Sequence, residues 1–165
     1  MFYSKKLFVV KQYLIKINFK LKYSLICQFF PNLRKKTIGN YGEKLTELEY
    51  RKKGFRILDK NWSFRKGELD LIVSEKQDDD VCRETFLTIV EVKTRLIAEN
   101  KKDEPPLVFK FNHAKRRILL KTVKNYLIIK NSTDNRWSFD LVLVKIDGSG
   151  DIKDMEIIKN IWLGN

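Results

Sequence analysis

The stretch TFLTIVEVKTR, Thr85 to Arg95, constrains this chain more than any other, because it is an apolar strand that ends in charges. Side chains on a strand alternate between faces with a period of two. Phe86, Thr88, Val90 and Val92 therefore share one face, and Leu87, Ile89, Glu91 and Lys93 share the other. The second face begins apolar, so its start has to be covered. A strand covered on both faces belongs in the middle of a sheet. Glu91 and Lys93 fall near its end, neighbours roughly 6.5–7 Å apart along the strand. Charges in such a place need a partner, a metal ion or a cleft, because an unpaired buried charge is costly.

The segment before it, KGELDLIVS, opens at a Lys-Gly turn and then alternates, which predicts a second strand. Its alternation places Glu68, Asp70 and Ile72 on one face and Leu69, Leu71 and Val73 on the other. A hairpin closed by the acidic loop EKQDDDVCRE brings Asp70 to the same sheet face as Glu91. Two carboxylates held together on rigid strands suit a hard cation such as Mg²⁺. A lysine beside them can neutralise charge developing on a phosphate, or position an attacking water. Spacing alone also fits an exposed Glu-Lys ion pair of little consequence.

Around this pair the chain is orderly from Ile38 onward. GNYGEKLTELEYRKKG predicts a helix from about Asn40 to Lys53, with Tyr41, Leu45, Leu48 and Lys52 on one stripe and Gly54 as its stop. FRILDKNW predicts a short strand. Residues 96–110 are polar and contain Pro105 and Pro106, which exclude regular structure there. NHAKRRILLKTVKNYLIIK predicts a helix capped by Asn112 and started by His113, with Ile118, Leu119, Val123, Tyr126 and Leu127 at helical spacing. RWSFDLVLVKI predicts a strand, DGSG a turn, and DMEIIKNIWL a last strand. The order α-β-β-β-α-β-β in one α/β domain gives a mixed central sheet flanked by helices. Trp62, Phe64, Trp137 and Phe139 are expected to pack on the core or the sheet, with base stacking as the competing role.

The net charge of +13 points to nucleic acid or a membrane surface. Its distribution is uneven. Residues 1–36 hold nine Lys or Arg and no acidic residue, whereas residues 37–165 hold 25 basic and 21 acidic residues, a balance of only +4. The domain is therefore placed at 37–165, after a basic, hydrophobic N-terminal extension at 1–36. The longest uncharged run in that extension, Tyr23 to Leu33, is 11 residues, too short for a spanning helix of about 20. Lysines also interrupt any secretory core. An extension with no role of its own, an arm along phosphates and a basic helix on an anionic membrane all fit it. Cys27 and Cys82 lie far apart with a single histidine, His113, so no zinc spacing is present. Two free thiols fit a cytoplasmic chain.

GNYGEKLTELEYRKKGFRILDKNW, KGELDLIV, IVEVKTR, KRRILLKTVKNYL and RWSFDLVLV, taken in order, resemble the YraN-type family of small bacterial proteins. That family is similar to restriction-endonuclease-like nucleases of the PD-(D/E)xK type, including archaeal Holliday junction resolvases. The resemblance covers residues 38–162. It implies a restriction-endonuclease-like domain in which Asp70, Glu91 and Lys93 occupy the catalytic positions. It also implies that Glu43, at the start of the first helix, joins Asp70 and Glu91 around Mg²⁺ or Mn²⁺. Lys115 matches a basic position that contacts phosphate, with Arg116 beside it, and Asp140 matches an aspartate of structural or functional use. Arg65 and Lys66, at the turn before Asp70, are placed to reach a nucleic-acid backbone, as is Lys93. Thr46 and Glu47 stand where the family usually has small residues, and Thr122 where it usually has Ala. The function implied is a metal-dependent DNA nuclease, with branched or structured DNA among its substrates, which acts as a dimer if it cuts both strands. The competing expectation is a catalytically inactive nucleic-acid-binding protein that keeps the nuclease fold.

Overall fold

The computed structural model describes residues 2–29, 33–75, 86–97 and 112–163, with the backbone alone at 2–7 and 27–29. Helix α1 spans Phe2–Phe29 and α2 spans Arg34–Lys52; they precede three strands, β1 (Phe55–Phe64), β2 (Gly67–Glu75) and β3 (Leu87–Leu96). Helix α3 (His113–Ile129) leads to β4 (Trp137–Ile146) and β5 (Ile152–Ile158). The five strands lie in the order β1-β2-β3-β4-β5. All neighbours are antiparallel except β3 and β4, which are parallel. A parallel pair needs a crossover, and α3 lies in that connection. This α/β domain, a mixed sheet between helices, is consistent with the restriction-endonuclease-like fold that the motifs imply.

β3 is the middle strand, and every residue from Leu87 to Val92 is buried. Its alternation sorts the core into two layers. Leu87 and Ile89 pack with Leu119, Val123, Tyr126 and Leu127 of α3. Val90 and Val92 pack with Tyr41, Leu45 and Tyr50 of α2. Asn112 caps α3 as expected, its side chain accepting from the Lys115 N–H at 3.0 Å.

Several boundaries differ from the sequence expectation. α2 begins at Arg34, about six residues before Asn40, although its first turns carry no apolar stripe. Tertiary contact supplies what periodicity lacked: Arg34 Nε donates to the Tyr23 hydroxyl of α1 at 2.7 Å. Lys52 and Ile118, placed on core stripes by spacing, are exposed, Ile118 at 43%, because each lies at the rim of its helix's buried face. β1 runs on to Phe64, and β5 starts at Ile152 and ends at Ile158. The acidic loop after Glu75, with Cys82, and the segment holding Pro105 and Pro106 lie outside the described residues.

α1 lies along α2. Phe19 is buried there, stacked on Tyr41 with ring centroids 4.1 Å apart, and the Tyr41 hydroxyl donates to the Gly150 carbonyl at 2.6 Å. Gly150 has φ of 80°, and a Cβ there would stand 2.8 Å from the Phe19 ring, so both backbone and packing call for glycine.

Two further glycines set how closely the helices approach the sheet. A Cβ on Gly42 of α2 would collide with the Thr94 side chain of β3, and one on Gly67 of β2 with the Thr122 side chain of α3. Gly42→Ala is expected to destabilise the fold by about 1–3 kcal/mol through overpacking. Thermal or denaturant unfolding checks this, and a variant as stable as the parent contradicts the close approach.

Candidate functional site

The ladder between β2 and β3 runs from Ser74↔Leu87 to Leu71↔Val90 and stops there. One more step would pair Asp70 with Glu91. The β1–β2 ladder, by contrast, continues to Phe64↔Gly67. β2 therefore leaves β3 at Asp70 and follows β1. Where the backbone pairing ends, the Asp70 side chain takes over: its Oδ2 accepts the Val92 N–H at 2.7 Å. The expected alternation along GELDLIV is not kept. Leu69 packs in the α3 layer, while Leu71 and Val73 pack in the α2 layer. The strand turns its faces over at Asp70, because it twists away from one neighbour while holding the other.

Glu91 keeps the face predicted for it. It is 2% exposed, and its Oε1 meets the Lys93 ammonium and, at 3.2 Å, the Lys115 ammonium of α3. Its Oε2 is buried without a hydrogen-bond partner among the described residues. Lys93 and Lys115 are partly exposed, so the cluster reaches solvent through its two cations. Burial pushes the Asp70 carboxyl up to about 7, with the Glu91 charge adding to the rise; the Val92 hydrogen bond and Lys93 act against it.

Glu43, on α2 next to Gly42, belongs to the same electrostatic neighbourhood. Burial raises its pKa, with smaller upward contributions from Glu68 and Glu91, opposed by a hydrogen bond from Asn61 and by Lys93. Among the described residues no three carboxylate, histidine or cysteine side chains are grouped to hold one metal ion. Glu43 adds its charge to the rise of Asp70 and accepts a hydrogen bond from the Asn61 side chain of β1. Its helix neighbour Glu47 is compensated elsewhere, by Arg51 at 2.9 Å and Lys60 at 3.0 Å.

Asp140 braces this region from β4. It is buried, its Oδ2 accepts from the Tyr50 hydroxyl of α2 at 2.8 Å, and its Oδ1 accepts from the Asn160 N–H at 3.1 Å. Arg65 and Lys66 are exposed at the β1–β2 turn. They line a groove of about 310 Å³ with Lys121, Thr122 and Asn125 of α3, while Arg116 is half-buried one residue beyond Lys115. Trp62 and Phe139 pack as expected, Phe139 in the core and Trp62 edge-on to Tyr126 at 5.1 Å. Asn61 and Glu68 were missed by sequence reasoning. Asn61 carried a signal, being an Asn inside a strand pattern, and it adopts φ of 49°.

Residues 42–144 match the model of a family described as "Uncharacterised protein family UPF0102". This chain belongs to that family. Among its relatives, a UPF0102 protein of Clostridium acetobutylicum is 30% identical over 128 residues, covering 77% of this chain and 94% of the relative. One from Flavobacterium psychrophilum is 35% identical over 107 residues, covering 65% and 79%, and one from Pelotomaculum thermopropionicum is 34% identical over 128, covering 78% and 97%. The UPF0102 match begins at Gly42 and ends inside β4. It takes in Glu43, Asp70, Glu91, Lys93, Lys115 and Asp140 and leaves out α1.

The raised pKa of Asp70 has a consequence for stability. A carboxyl whose folded pKa lies above its unfolded value contributes stability that is full below the unfolded value, 3.8, and is lost as pH rises through about 7. Asp70→Asn removes the charge and keeps an acceptor for Val92. Its unfolding temperature should exceed that of the parent at pH 8 and approach it at pH 5. Parallel pH profiles for the two proteins would exclude a desolvated Asp70.

Proposed function

We propose that this UPF0102 protein is a metal-dependent nuclease that hydrolyses phosphodiesters in DNA, with branched or structured DNA among its substrates. The observation that carries the reading is the parting of β2 and β3, which sets Asp70 and the buried Glu91 together beside the ammonium groups of Lys93 and Lys115. The donor set fits a hard cation. Glu91 Oε2 is a buried acceptor with no partner among the described residues, and the Asp70 carboxyl is raised by burial and then by its neighbour's charge, both of which a cation offsets. Mg²⁺ usually takes one or two carboxylates and completes its shell with water and phosphate oxygens, so two protein ligands suffice.

In this reading Asp70 and Glu91 would hold Mg²⁺ or Mn²⁺, with Glu43 adding its charge beside them as the third carboxylate of the site. When bound, the metal polarises the phosphodiester and makes its water more acidic. Lys93 orients the attacking water and offsets charge on the phosphate oxygens; Lys115 and Arg116 hold the neighbouring phosphate. The water oxygen forms a bond to phosphorus, the bond from phosphorus to the sugar oxygen breaks, and the water's proton balances the one the leaving oxygen gains. Arg65 and Lys66 extend the basic surface along the backbone. Cleavage of both strands calls for a second site, which a homodimer supplies.

A second reading has its own support. Two ammonium groups already meet Glu91 Oε1, so the cluster is largely neutralised without a metal, as in a binding protein that keeps the fold and has lost the chemistry.

The two readings separate on supercoiled, single-stranded and branched DNA, with and without Mg²⁺. Asp70→Ala and Lys93→Ala are each expected to lower Mg²⁺-dependent cleavage by at least about a hundredfold. Unchanged cleavage in both variants would remove the assignment. A wild type that binds DNA in a salt-sensitive way without cutting it, and whose binding survives Asp70→Ala, supports the second reading.

A further inference from the structure

α1 is apolar on two opposite faces. One face packs on the domain: Phe19 is stacked between Tyr23 and Tyr41, and Lys16 pairs with Asp151 in the β4–β5 turn. At 3.6 residues per turn, Val10, Tyr13, Leu14, Ile17, Leu21 and Leu25 fall on the other side of the helix, and all six are exposed, Leu14 at 58% and Leu21 at 63%. Lys20 borders this stripe along one side, and Lys11 and Lys22 along the other, all exposed. No acidic residue occurs anywhere in α1.

We propose that this outward stripe docks the domain on an anionic lipid bilayer, with α1 lying in the plane of the membrane surface. Such a stripe buries its aliphatic side chains among the acyl chains while flanking lysines meet anionic headgroups. No described helix is long and apolar enough to cross a membrane, which suits α1 to lying on one. Charge decides against a second copy as the occupant. Two α1 stripes packed together would set lysine borders against lysine borders, with no acidic residue in either helix to offset them. The packed face fixes α1 to the domain, so docking needs no unfolding, and the inference stands independently of the nuclease reading.

The test is co-sedimentation of the full chain with vesicles of phosphatidylglycerol and phosphatidylcholine in equal parts, and of phosphatidylcholine alone. Binding is expected on the anionic vesicles only, and should weaken between about 0.1 M and about 1 M salt as screening grows. The double variant Leu14→Glu, Leu21→Glu should bind at least about tenfold more weakly with an unchanged unfolding temperature, because the stripe is outside the fold. The triple variant Lys11→Gln, Lys20→Gln, Lys22→Gln gives the same result without disturbing an apolar position, so a misfolded double variant still leaves a decision. A wild type that ignores anionic vesicles, or triple-variant binding as strong as the parent's, overturns the proposal. So does a wild-type dimer, seen by light scattering, that fails to bind vesicles.

Discussion

Glu91 is a carboxylate in the middle of a sheet, on a strand covered from both sides. Its position obliges the surroundings to supply positive charge, since an isolated buried carboxylate is not tolerated. Lys93 supplies it from the same strand and Lys115 from the helix above. The crossover that joins β3 to β4 is therefore also what brings a cation to Glu91. The Asn112 cap starts α3 just before Lys115, so the helix register is set within one turn of the ion pair.

Asp70 shows how a strand end becomes a chemical site. Where β2 parts from β3, Val92 loses its backbone partner, and the Asp70 carboxylate fills that vacancy. The bond fixes one oxygen of Asp70 close to Glu91. Burial and the neighbouring Glu91 charge then raise the Asp70 carboxyl, which is the electrostatic condition for drawing in a cation or a proton there.

Helix distance matters as much as helix position. Gly42 allows α2 to settle against Thr94, and Glu43, the next residue, is brought near enough to feel Glu91. Gly67 allows the same for α3, where Thr122 occupies the space a side chain on β2 would need. Thr122 also donates to the Ile118 carbonyl at 2.7 Å, so its hydroxyl is satisfied within the helix. Thr46 is fully buried in α2, its hydroxyl unpartnered among the described residues. Asp140 ties α2, β4 and the residues after β5 into one unit behind the site.

Local spacing alone determined the two faces of β3, its central place, the hairpin with β2, the cap of α3 and the order of elements from α2 to β5. Each follows from a period of 2 or 3.6, or from one side chain meeting its own backbone, and these act over a few residues. The strand faces around Asp70 were not legible, because the reversal there depends on which neighbour β2 keeps. The early start of α2 depends on Tyr23 in another helix. That α1 packs through Phe19 and turns its other apolar face outward is likewise a matter of contact, since both faces read alike in the sequence. The sequence by itself put Asp70, Glu91 and Lys93 on neighbouring strands. Only the tertiary structure decided that Lys115 reaches Glu91 and that Glu43 meets Asn61 while sharing the field of Asp70 and Glu91, because those approaches are set by how closely two helices pack against one sheet.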